Sequence, residues 1–373
     1  MQYRISPKQL ATVIAVILSC GMTLPSVASD TEKSIEVSPY IVNGEDALVD
    51  DFPSFVSLFV DSIEIDGIYY PSSYCGGTLL DSEHVLTAAH CLYGSVVNQL
   101  FTVVVPKLQD ENDYPYGSVE QIRISAVYYP DNYVDSTSRL LPNDIAILKL
   151  EQAISVANYI TIPTNESYRT ASELFQAVGH GNTATNTSST SQLQMATLTW
   201  VDNQTCASNF TGGSNLTEKQ ICFTGDYSNA TGLKAGTCQG DSGGPVYWSE
   251  NGTQVQVGIT SFGPALCGDP GSKVTAVYTE ITDHRNWINS VLSGAEQPKR
   301  TSDDSVRRGY IDIYGSIIND VGGIEVPSTP KTGGGGGGGI SYYVGLWLAL
   351  IVALRSAVLL PNWRSWRAKV WRS

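Results

Sequence analysis

Residues 238–245 read Cys-Gln-Gly-Asp-Ser-Gly-Gly-Pro and combine a hydroxyl side chain with three glycines. Ser242 is a candidate nucleophile, because a serine hydroxyl becomes reactive once a base removes its proton and donors stabilise the resulting oxyanion. Gly240 has no side chain, so its amide and that of Ser242 can point at one oxygen and form an oxyanion hole. Gly243 and Gly244 permit the tight turn that presents the hydroxyl. A plain glycine-rich hairpin turn is the alternative.

This chemistry also needs a base and a group that orients the base. His90 lies in Leu-Thr-Ala-Ala-His-Cys, and Asp144 lies in Asn-Asp-Ile-Ala-Ile-Leu. In the order His, Asp, Ser, these three motifs resemble the chymotrypsin/trypsin family of serine endopeptidases, over residues 41–292. The resemblance implies that His90 acts as general base and then general acid, and that Asp144 holds the other imidazole nitrogen. His180 lies where relatives usually have Trp, and we expect it to be structural.

The pattern of short apolar runs predicts an all-β fold. Runs rich in Val, Ile, Thr, Phe and Tyr occur at 53–60, 75–80, 100–105, 145–150, 173–178, 254–262 and 273–278. Turn residues separate them, which is typical of a barrel or a sandwich. The resemblance narrows this fold to two six-stranded antiparallel barrels of the chymotrypsin-like type, with the catalytic cleft between them. Apolar residues at near-helical spacing over 281–292 predict a closing C-terminal helix.

The charge of the chain limits its partners. The formal net charge is −14, and all 36 acidic residues lie between Asp30 and Glu325. Such a surface argues against nucleic acid as a partner and fits a soluble secreted protein. The family resemblance implies protein or peptide substrates. We expect no cofactor and no metal. A calcium-binding loop is an alternative interpretation of the acidic run 109–113. The run lacks a recognisable ligand spacing, so we expect it to be a solvated loop.

Residues 1–29 are typical of a secretory signal peptide. Arg4 and Lys8 precede an apolar run from 10 to 20, and Ser-Val-Ala-Ser at 26–29 offers a cleavage site. Lipidation of Cys20 is the alternative, although Ile-Leu-Ser is a poor lipidation box. Export therefore follows, to the extracellular space or the cell surface.

Removal of the signal leaves six of the seven cysteines. An even number of cysteines in an exported chain favours disulfides over zinc. By resemblance, the pairs are Cys75 with Cys91, Cys206 with Cys222, and Cys238 with Cys267.

Residues 30–40 form a short polar segment that ends at Tyr40, before Ile-Val-Asn-Gly. In the family, cleavage before such an Ile-Val pair frees an α-amine that pairs with the carboxylate before the serine, here Asp241, and orders the oxyanion hole. We therefore expect activation at Ile41. Many relatives are activated after Arg or Lys, so Tyr40 predicts an activating protease with chymotrypsin-like preference, either another protease or the enzyme itself.

The resemblance also assigns the pocket for the residue before the scissile bond. Its base would be Gly236, six residues before the nucleophile, where trypsin-like members have Asp. The other positions are the wall Thr237, the small residues Gly263 and Ala276, and the Ser261-Phe262-Gly263 stretch that pairs with the substrate backbone. This uncharged pocket predicts cleavage after Phe, Tyr, Leu or Met. A shifted alignment that brings Asp269 into the pocket is the alternative.

The C-terminal region differs in composition from the rest. Residues 295–332 mix Gln, Pro, Ser, Asp and Arg, and we expect a linker or stalk. Seven glycines at 333–339 precede an uncharged run at 340–354, which reaches the roughly 20 residues of a transmembrane helix if it extends to 360. Basic residues and no acids follow, in agreement with the positive-inside rule.

The tail 333–373 resembles the GlyGly-CTERM sorting signals of Gram-negative bacteria. That resemblance implies a sorting-tail protease and secretion machinery as partners, with transient anchoring in the membrane. A GPI signal and permanent anchoring are the alternatives, although the basic tip argues against the first.

Together these features predict a protease domain at 41–294 and a secreted or surface-displayed serine endopeptidase made as a zymogen. A catalytically silent homologue that acts as a binding or adhesin module is one alternative, but it would need a broken triad, and none is visible. A serine esterase is the other. Residues 240–244 fit Gly-X-Ser-X-Gly, but strands rather than alternating helices surround them.

Overall fold

The computed structural model describes residues 41–170, 172–187 and 191–318, together with the backbone of residues 324–325. Within these residues the strands are β1 Glu45–Asp46, β2 Phe55–Val60, β3 Ile68–Tyr69, β4 Cys75–Leu79, β5 His84–Thr87, β6 Thr102–Pro106, β7 Ile122–Tyr128, β8 Ala146–Leu150, β9 Leu174–Gly179, β10 Gln194–Val201, β11 Gln220–Gly225, β12 Pro245–Glu250, β13 Thr253–Phe262, β14 Ala276–Glu280, β15 Arg300–Thr301 and β16 Ile324–Glu325.

The helices in the same residues are short. They are α1 Ile63–Asp66, α2 Val96–Phe101, α3 Asn203–Ala207, α4 Arg285–Leu292 and α5 Asp304–Tyr314. Single 3₁₀ turns occupy Val49–Asp51, Ala89–Cys91, Glu111–Asp113, Thr137–Arg139, Gly213–Asn215 and Thr282–His284.

The first barrel closes six antiparallel strands in the order β7-β6-β2-β4-β5-β8, and β8 pairs back onto β7. Branched side chains such as Val56, Leu58, Val104 and Ile147 fill its interior. A barrel of this size has no room for a channel, so its inward side chains form the core.

The second barrel closes six antiparallel strands in the order β10-β11-β14-β13-β12-β9, and β9 pairs back onto β10. Its core is aromatic at the centre. The ring centroids of Phe175 and Phe223 lie 4.6 Å apart, and those of Phe223 and Tyr278 lie 5.3 Å apart. Tilted and edge-to-face contacts of this kind add to the stabilisation from burial alone.

The prediction of two six-stranded antiparallel barrels is confirmed. The observed strands differ from the predicted runs by one to three residues at their ends. The strand β14 begins at Ala276 rather than at residue 273, and β6 begins at Thr102 rather than at residue 100. Residues 96–101 form α2 instead, and Ser95 Oγ caps that helix by accepting a hydrogen bond from the N–H of Asn98 at 3.1 Å. The predicted closing helix is present as a 3₁₀ turn followed by α4.

Residues 300–318 pack on the first barrel, which differs from the stalk expected over 295–332. Arg300 and Thr301 of β15 pair with β7. The helix α5 follows, and the carboxylate of its N-cap residue, Asp303, accepts a hydrogen bond from the N–H of Val306 at 2.9 Å. This part of the predicted linker is therefore an ordered extension of the protease fold.

Arg307 anchors α5, although arginine is rarely buried completely. Its side chain is 0% exposed. The guanidinium donates hydrogen bonds to the main-chain oxygens of Leu100 at 2.8 Å and Ile124 at 2.6 Å, and to the carboxylate of Glu151 at 2.7 Å. These bonds compensate the loss of hydration that burial of the charge entails.

Among the described residues, no helix has both the length and the apolar character needed to cross a membrane. The predicted signal peptide 1–29, the activation segment 30–40 and the membrane tail 333–373 all lie outside the described ranges.

Replacing Arg307 by Ala should lower the free energy of unfolding by about 3–5 kcal/mol, because removal of one partner leaves buried polar groups unpaired. Chemical denaturation measures this change, in a Ser242→Ala background that prevents self-digestion. Arg308 is exposed on the same helix and is the matched control. Arg308→Ala should leave the unfolding transition unchanged. If both variants are as stable as the parent, α5 does not pack on the barrel.

Candidate active site

His90 and Asp144 are in direct contact. His90 lies on the 3₁₀ turn after β5, and Asp144 lies two residues before β8, the strand that pairs with β5. Nδ1 of His90 is 2.7 Å from Asp144 Oδ2, and the backbone N–H of His90 donates to Oδ1 at 2.8 Å. A carboxylate at Nδ1 favours the tautomer that carries its proton there, so Nε2 is the basic nitrogen.

The charge of Asp144 is stabilised although its side chain is completely buried. Burial by itself would raise the pKa of Asp144. Attraction to His90 and hydrogen bonds from His90 and Ser261 outweigh burial and hold that pKa below its ordinary value. The carboxylate is therefore ionised at neutral pH and can stabilise a positive charge on the imidazole.

Two hydroxyl groups of the second barrel hold Asp144 in place. Ser261 Oγ, from β13, donates to Asp144 Oδ2 at 2.5 Å. Thr279 Oγ1, from β14, donates to the main-chain oxygen of Asp144 at 2.7 Å. The sequence predicted Ser261 only as a backbone partner for substrate and did not predict Thr279. The partners in these two contacts are 117 and 135 residues apart in the sequence, so no local motif predicts the contacts.

Ser242 lies on the turn before β12, and this turn contacts the first barrel close to His90. The N–H of Gly76 donates to the main-chain oxygen of Ser242 at 2.7 Å. Gly243 has a φ of +74°, and a Cβ there would lie 2.1 Å from Oγ1 of Thr87, the last residue of β5. Ser242 is buried, and its hydroxyl has no hydrogen-bond partner within the described part of the chain. The candidate nucleophile is thus near the histidine turn but not hydrogen-bonded to the imidazole.

The main chain before Ser242 leaves two amides available. Gly240 has a φ of +100°, and a Cβ there would lie 2.9 Å from Gly181 Cα, so only glycine fits. The N–H of Asp241 donates to the oxygen of Cys238 at 3.2 Å. Across residues 41–170, 172–187 and 191–318, by contrast, the N–H groups of Gly240 and Ser242 have no acceptor. Such unpaired donors are what an oxyanion hole requires.

Asp241 directs its carboxylate into the protein. It accepts hydrogen bonds from the N–H groups of Gly181 at 2.9 Å and Cys238 at 2.8 Å. Burial raises the pKa of Asp241 to about 7, although these two hydrogen bonds lower it. No cationic side chain of the described residues compensates the charge. A positive group placed here would therefore be strongly attracted once the carboxylate ionises.

The residues that follow the predicted activation site are already buried. Ile41 and Val42 are 0% exposed, and Ile41 contributes to the core of the second barrel. Val42 forms an antiparallel bridge with Gly236. Tyr40 lies outside the described residues.

Three disulfides are present, Cys75–Cys91, Cys206–Cys222 and Cys238–Cys267. They are the pairs that the family resemblance implies. The first joins β4 to the turn that carries His90, and the third begins four residues before Ser242. These bonds restrict the segments on which the candidate catalytic residues lie.

The floor of the predicted specificity pocket carries hydroxyls and no charge. A Cβ on Gly236 would lie 2.6 Å from Thr275 Cβ, so the position excludes any side chain. Thr237 Oγ1 lies 3.1 Å from the hydroxyl of Tyr278, and both residues are buried.

The remaining pocket residues lie at the ends of β13 and β14. Phe262 and Ala276 are buried. Gly263 lines a cavity of about 330 Å³ together with Asp269, and neither Gly236 nor Ala276 belongs to that cavity. Asp269 and Gly263 thus line the same cavity.

His180 is buried away from the contacts of His90. It is 3% exposed, and its Nδ1 lies 3.3 Å from Ser57 Oγ. Burial lowers the pKa of His180 to about 4, so the ring is neutral at neutral pH. These contacts agree with a structural role.

Two groups of three potential metal ligands occur among the described residues, and both are engaged in other bonds. Cys75, Cys91 and His90 form the first, but the cysteines are joined in a disulfide. Glu166, Glu280 and Asp283 form the second, but Arg169 donates to both oxygens of Glu280.

The chain is similar to known proteins over the region that contains both barrels. The Trypsin family profile matches residues 41–288. Chymotrypsin-like elastase family member 1 of Rattus norvegicus is 31% identical over 269 residues, which cover 70% of this chain and 93% of that protein. Chymotrypsin-C of Bos taurus is 30% identical over 285 residues, which cover 75% and 96%. Trypsin-1 of Astacus astacus is 28% identical over 257 residues, which cover 67% and 99%. The family match includes both barrels and ends before β15.

Asp241 should make the uncut chain less stable as the pH rises from about 4 to above 7, whereas His180 and His284, whose pKa values burial lowers to about 4, act in the opposite direction. The folded chain holds the Asp241 proton up to a pKa of about 7, whereas an unfolded chain releases it near its ordinary value, about 3.9. At Asp241 the folded state therefore binds more protons in this interval, so the contribution of this residue to stability is greatest at the acidic end and is lost as the pH rises.

Asp241→Asn should flatten this part of the profile, in a Ser242→Ala background that keeps the chain uncut. Denaturant titration at about pH 4, 6 and 8 measures the free energy of unfolding. Burial also raises the pKa of Glu111 to about 7, but both proteins contain Glu111, so only the difference between their profiles is informative. Parallel profiles would contradict the prediction.

Proposed function

The chain belongs to the trypsin family and is a serine endopeptidase, and we propose that it is made as an exported zymogen whose catalytic residues are His90, Asp144 and Ser242. One observation carries this proposal. His90 Nδ1 is 2.7 Å from Asp144 Oδ2, and the nearby turn that contains Ser242 has two N–H groups, of Gly240 and Ser242, without an acceptor in the described part of the chain.

The proposed reaction begins when Ser242 Oγ attacks the carbonyl carbon of the scissile peptide bond and His90 Nε2 takes the hydroxyl proton. The carbonyl oxygen becomes an oxyanion, and the N–H groups of Gly240 and Ser242 bind it. Asp144 stabilises the imidazolium. The C–N bond then breaks, and His90 gives its proton to the leaving amine. Water releases the acyl group by the same path and restores Ser242. The hydrogen bond between His90 and Ser242 is expected to form in the substrate complex.

Activation is proposed to follow cleavage between Tyr40 and Ile41. The new α-amine of Ile41 would pair with Asp241, whose buried carboxylate has no cationic partner among the described residues of the uncut chain. The burial of Ile41 and the bridge between Val42 and Gly236 support this pairing, because they hold the new terminus inside the second barrel. Ionisation of Asp241 would then fix the turn that ends at Ser242.

The proposed substrates are proteins and peptides cut after large apolar or aromatic residues. Gly236 and Thr237 give the pocket a floor without a carboxylate, which leaves no partner for Arg or Lys. The relatives include an elastase, a chymotrypsin and a trypsin by name, so the preference is argued from the pocket and not from them.

Export is proposed from the signal-like residues 1–29 and the tail 333–373. The disulfides support an oxidising compartment, since all six cysteines of the described ranges are paired. Transient anchoring through the tail, and its removal by a sorting protease, remain part of this proposal.

A fluorophosphonate probe should label the processed enzyme, and Ser242→Ala should abolish the label. Asp144→Asn should lower kcat on a peptide substrate by about 10⁴, because the imidazole then takes the wrong tautomer. Ser249, which is exposed on β12, provides the matched control, and Ser249→Ala should label as well as the parent. Labelling of Ser242→Ala, or none of the parent, would argue for a different nucleophile or a silent protein.

N-terminal sequencing of the active form should give Ile41 as the first residue. Tyr40→Gly should slow activation, because the proposed activator prefers an aromatic residue before the cut. Asp241→Ala should be cut at the same bond and stay inactive, since the α-amine has no partner. A Ser242→Ala precursor separates self-activation from activation by another protease. A mature terminus at any other residue would contradict this mechanism.

A further inference from the structure

A cavity of about 540 Å³ lies on the first barrel, where the C-terminal extension meets it. No charged side chain lines it. The lining residues are Val60, Tyr70, Ser72, Ser73, Tyr74, Ser95, Val96, Val97, Asn98 and Tyr310. Its volume is within the range of pockets that bind small ligands, and it is large enough for an aromatic side chain.

The C-terminal extension supplies one wall of this cavity. Tyr310 of α5 packs edge-to-face on Phe101, with ring centroids 5.6 Å apart. The Tyr70 hydroxyl donates to the main-chain oxygen of Ile317 at 2.6 Å, which holds the opposite end of the extension. The family match ends at residue 288, so this wall is an addition to the part of the chain that is shared with the family.

The cavity begins close to the nucleophile. Tyr74 lies two residues before Gly76, whose N–H binds the main-chain oxygen of Ser242 at 2.7 Å. Asn98 donates its side-chain amide to the main-chain oxygen of Cys91, the neighbour of His90, at 2.8 Å. Two residues of extended chain span about 7 Å. A substrate strand would thus reach the cavity two or three residues from the scissile bond.

The cavity and the pocket proposed for the residue before the scissile bond lie on different barrels. The pocket proposed for the residue before the bond is formed by the second barrel, at Gly236 and Thr237. The cavity is reached through the first barrel, beyond Gly76. Because the two sites lie on different barrels, we assign the cavity to the part of the substrate that leaves with the amine.

We propose that this cavity binds a large apolar side chain of the substrate, located two or three residues after the scissile bond, and that Tyr310 of the extension determines this preference. The inference rests on the proposed function, because it requires a peptide to be cut at Ser242. Tyr310 acts by shape and apolar contact and takes no part in the bond-breaking steps.

Peptide pairs test the proposal. Each pair shares its residues before the scissile bond and carries either Phe or Gly at the second and third residues after it. The processed wild-type enzyme should cleave the Phe peptide with a kcat/KM at least about tenfold higher. Tyr310→Ala should reduce this ratio by about tenfold. Ile313 is 74% exposed on the same helix and does not line the cavity, so Ile313→Ala should keep the wild-type ratio.

A second variant covers the case in which Tyr310→Ala disturbs the helix. Val96 lines the cavity from α2 and is 37% exposed, so Val96→Phe should fill the cavity without displacing core side chains and should also reduce the ratio. Equal cleavage of both peptides by wild type, or a wild-type ratio in both variants, would overturn the proposal.

Fluorophosphonate labelling distinguishes failure of the proposed subsite from failure of the proposed protease function. An enzyme that is labelled at Ser242 and cuts peptides without the Phe preference retains the proposed function and refutes the subsite. An enzyme that is not labelled and cuts neither peptide refutes the function itself.

Discussion

The buried charge of Asp144 is the interaction on which the site depends. An isolated carboxylate in the interior would take up a proton, because burial penalises the charged form. Here the N–H and Nδ1 of His90 and the hydroxyl of Ser261 supply three hydrogen bonds, and the pKa is lowered in spite of burial. Because His90 belongs to the first barrel and Ser261 to the second, the same carboxylate fixes the imidazole and joins the two barrels at the cleft.

Asp241 shows the opposite outcome for an equally buried carboxylate. Two backbone N–H groups bind it, and no cation among the described residues faces it, so burial dominates and its pKa rises to about 7. Two backbone hydrogen bonds thus fail to hold the charge of Asp241, whereas attraction to His90 together with hydrogen bonds from His90 and Ser261 holds the charge of Asp144. In the uncut chain, the turn next to Ser242 therefore contains a carboxylate whose ionisation is unfavourable in the absence of a positive partner.

Local motifs account for what the sequence could predict. The spacing of the apolar runs depends on neighbours in the chain and indicated a barrel or a sandwich. The motifs around Ser242, His90 and Asp144 are also local, and the family resemblance that they carry implied the two barrels and the His90–Asp144 pair. The hydroxyls of Ser261 and Thr279 reach Asp144 from strands more than 100 residues away, which no periodicity encodes. The extension was missed for a related reason. Its composition is that of a linker, and its attachment depends on burial of Arg307, a residue type that composition assigns to the surface.

Burial of Arg307 also determines where Tyr310 lies. The guanidinium satisfies the main-chain oxygen of Leu100, near the C-terminal end of α2, where a short helix leaves carbonyls without intrahelical partners. Tyr310 follows Arg307 by three residues, and residues at this spacing share one face of a helix. The bond that attaches α5 to the end of α2 therefore directs Tyr310 toward the same helix, where its ring meets Phe101. The position of the cavity wall thus follows from the anchor, and a substitution at residue 310 can alter the shape of the wall while the bonds of Arg307 keep the extension in place.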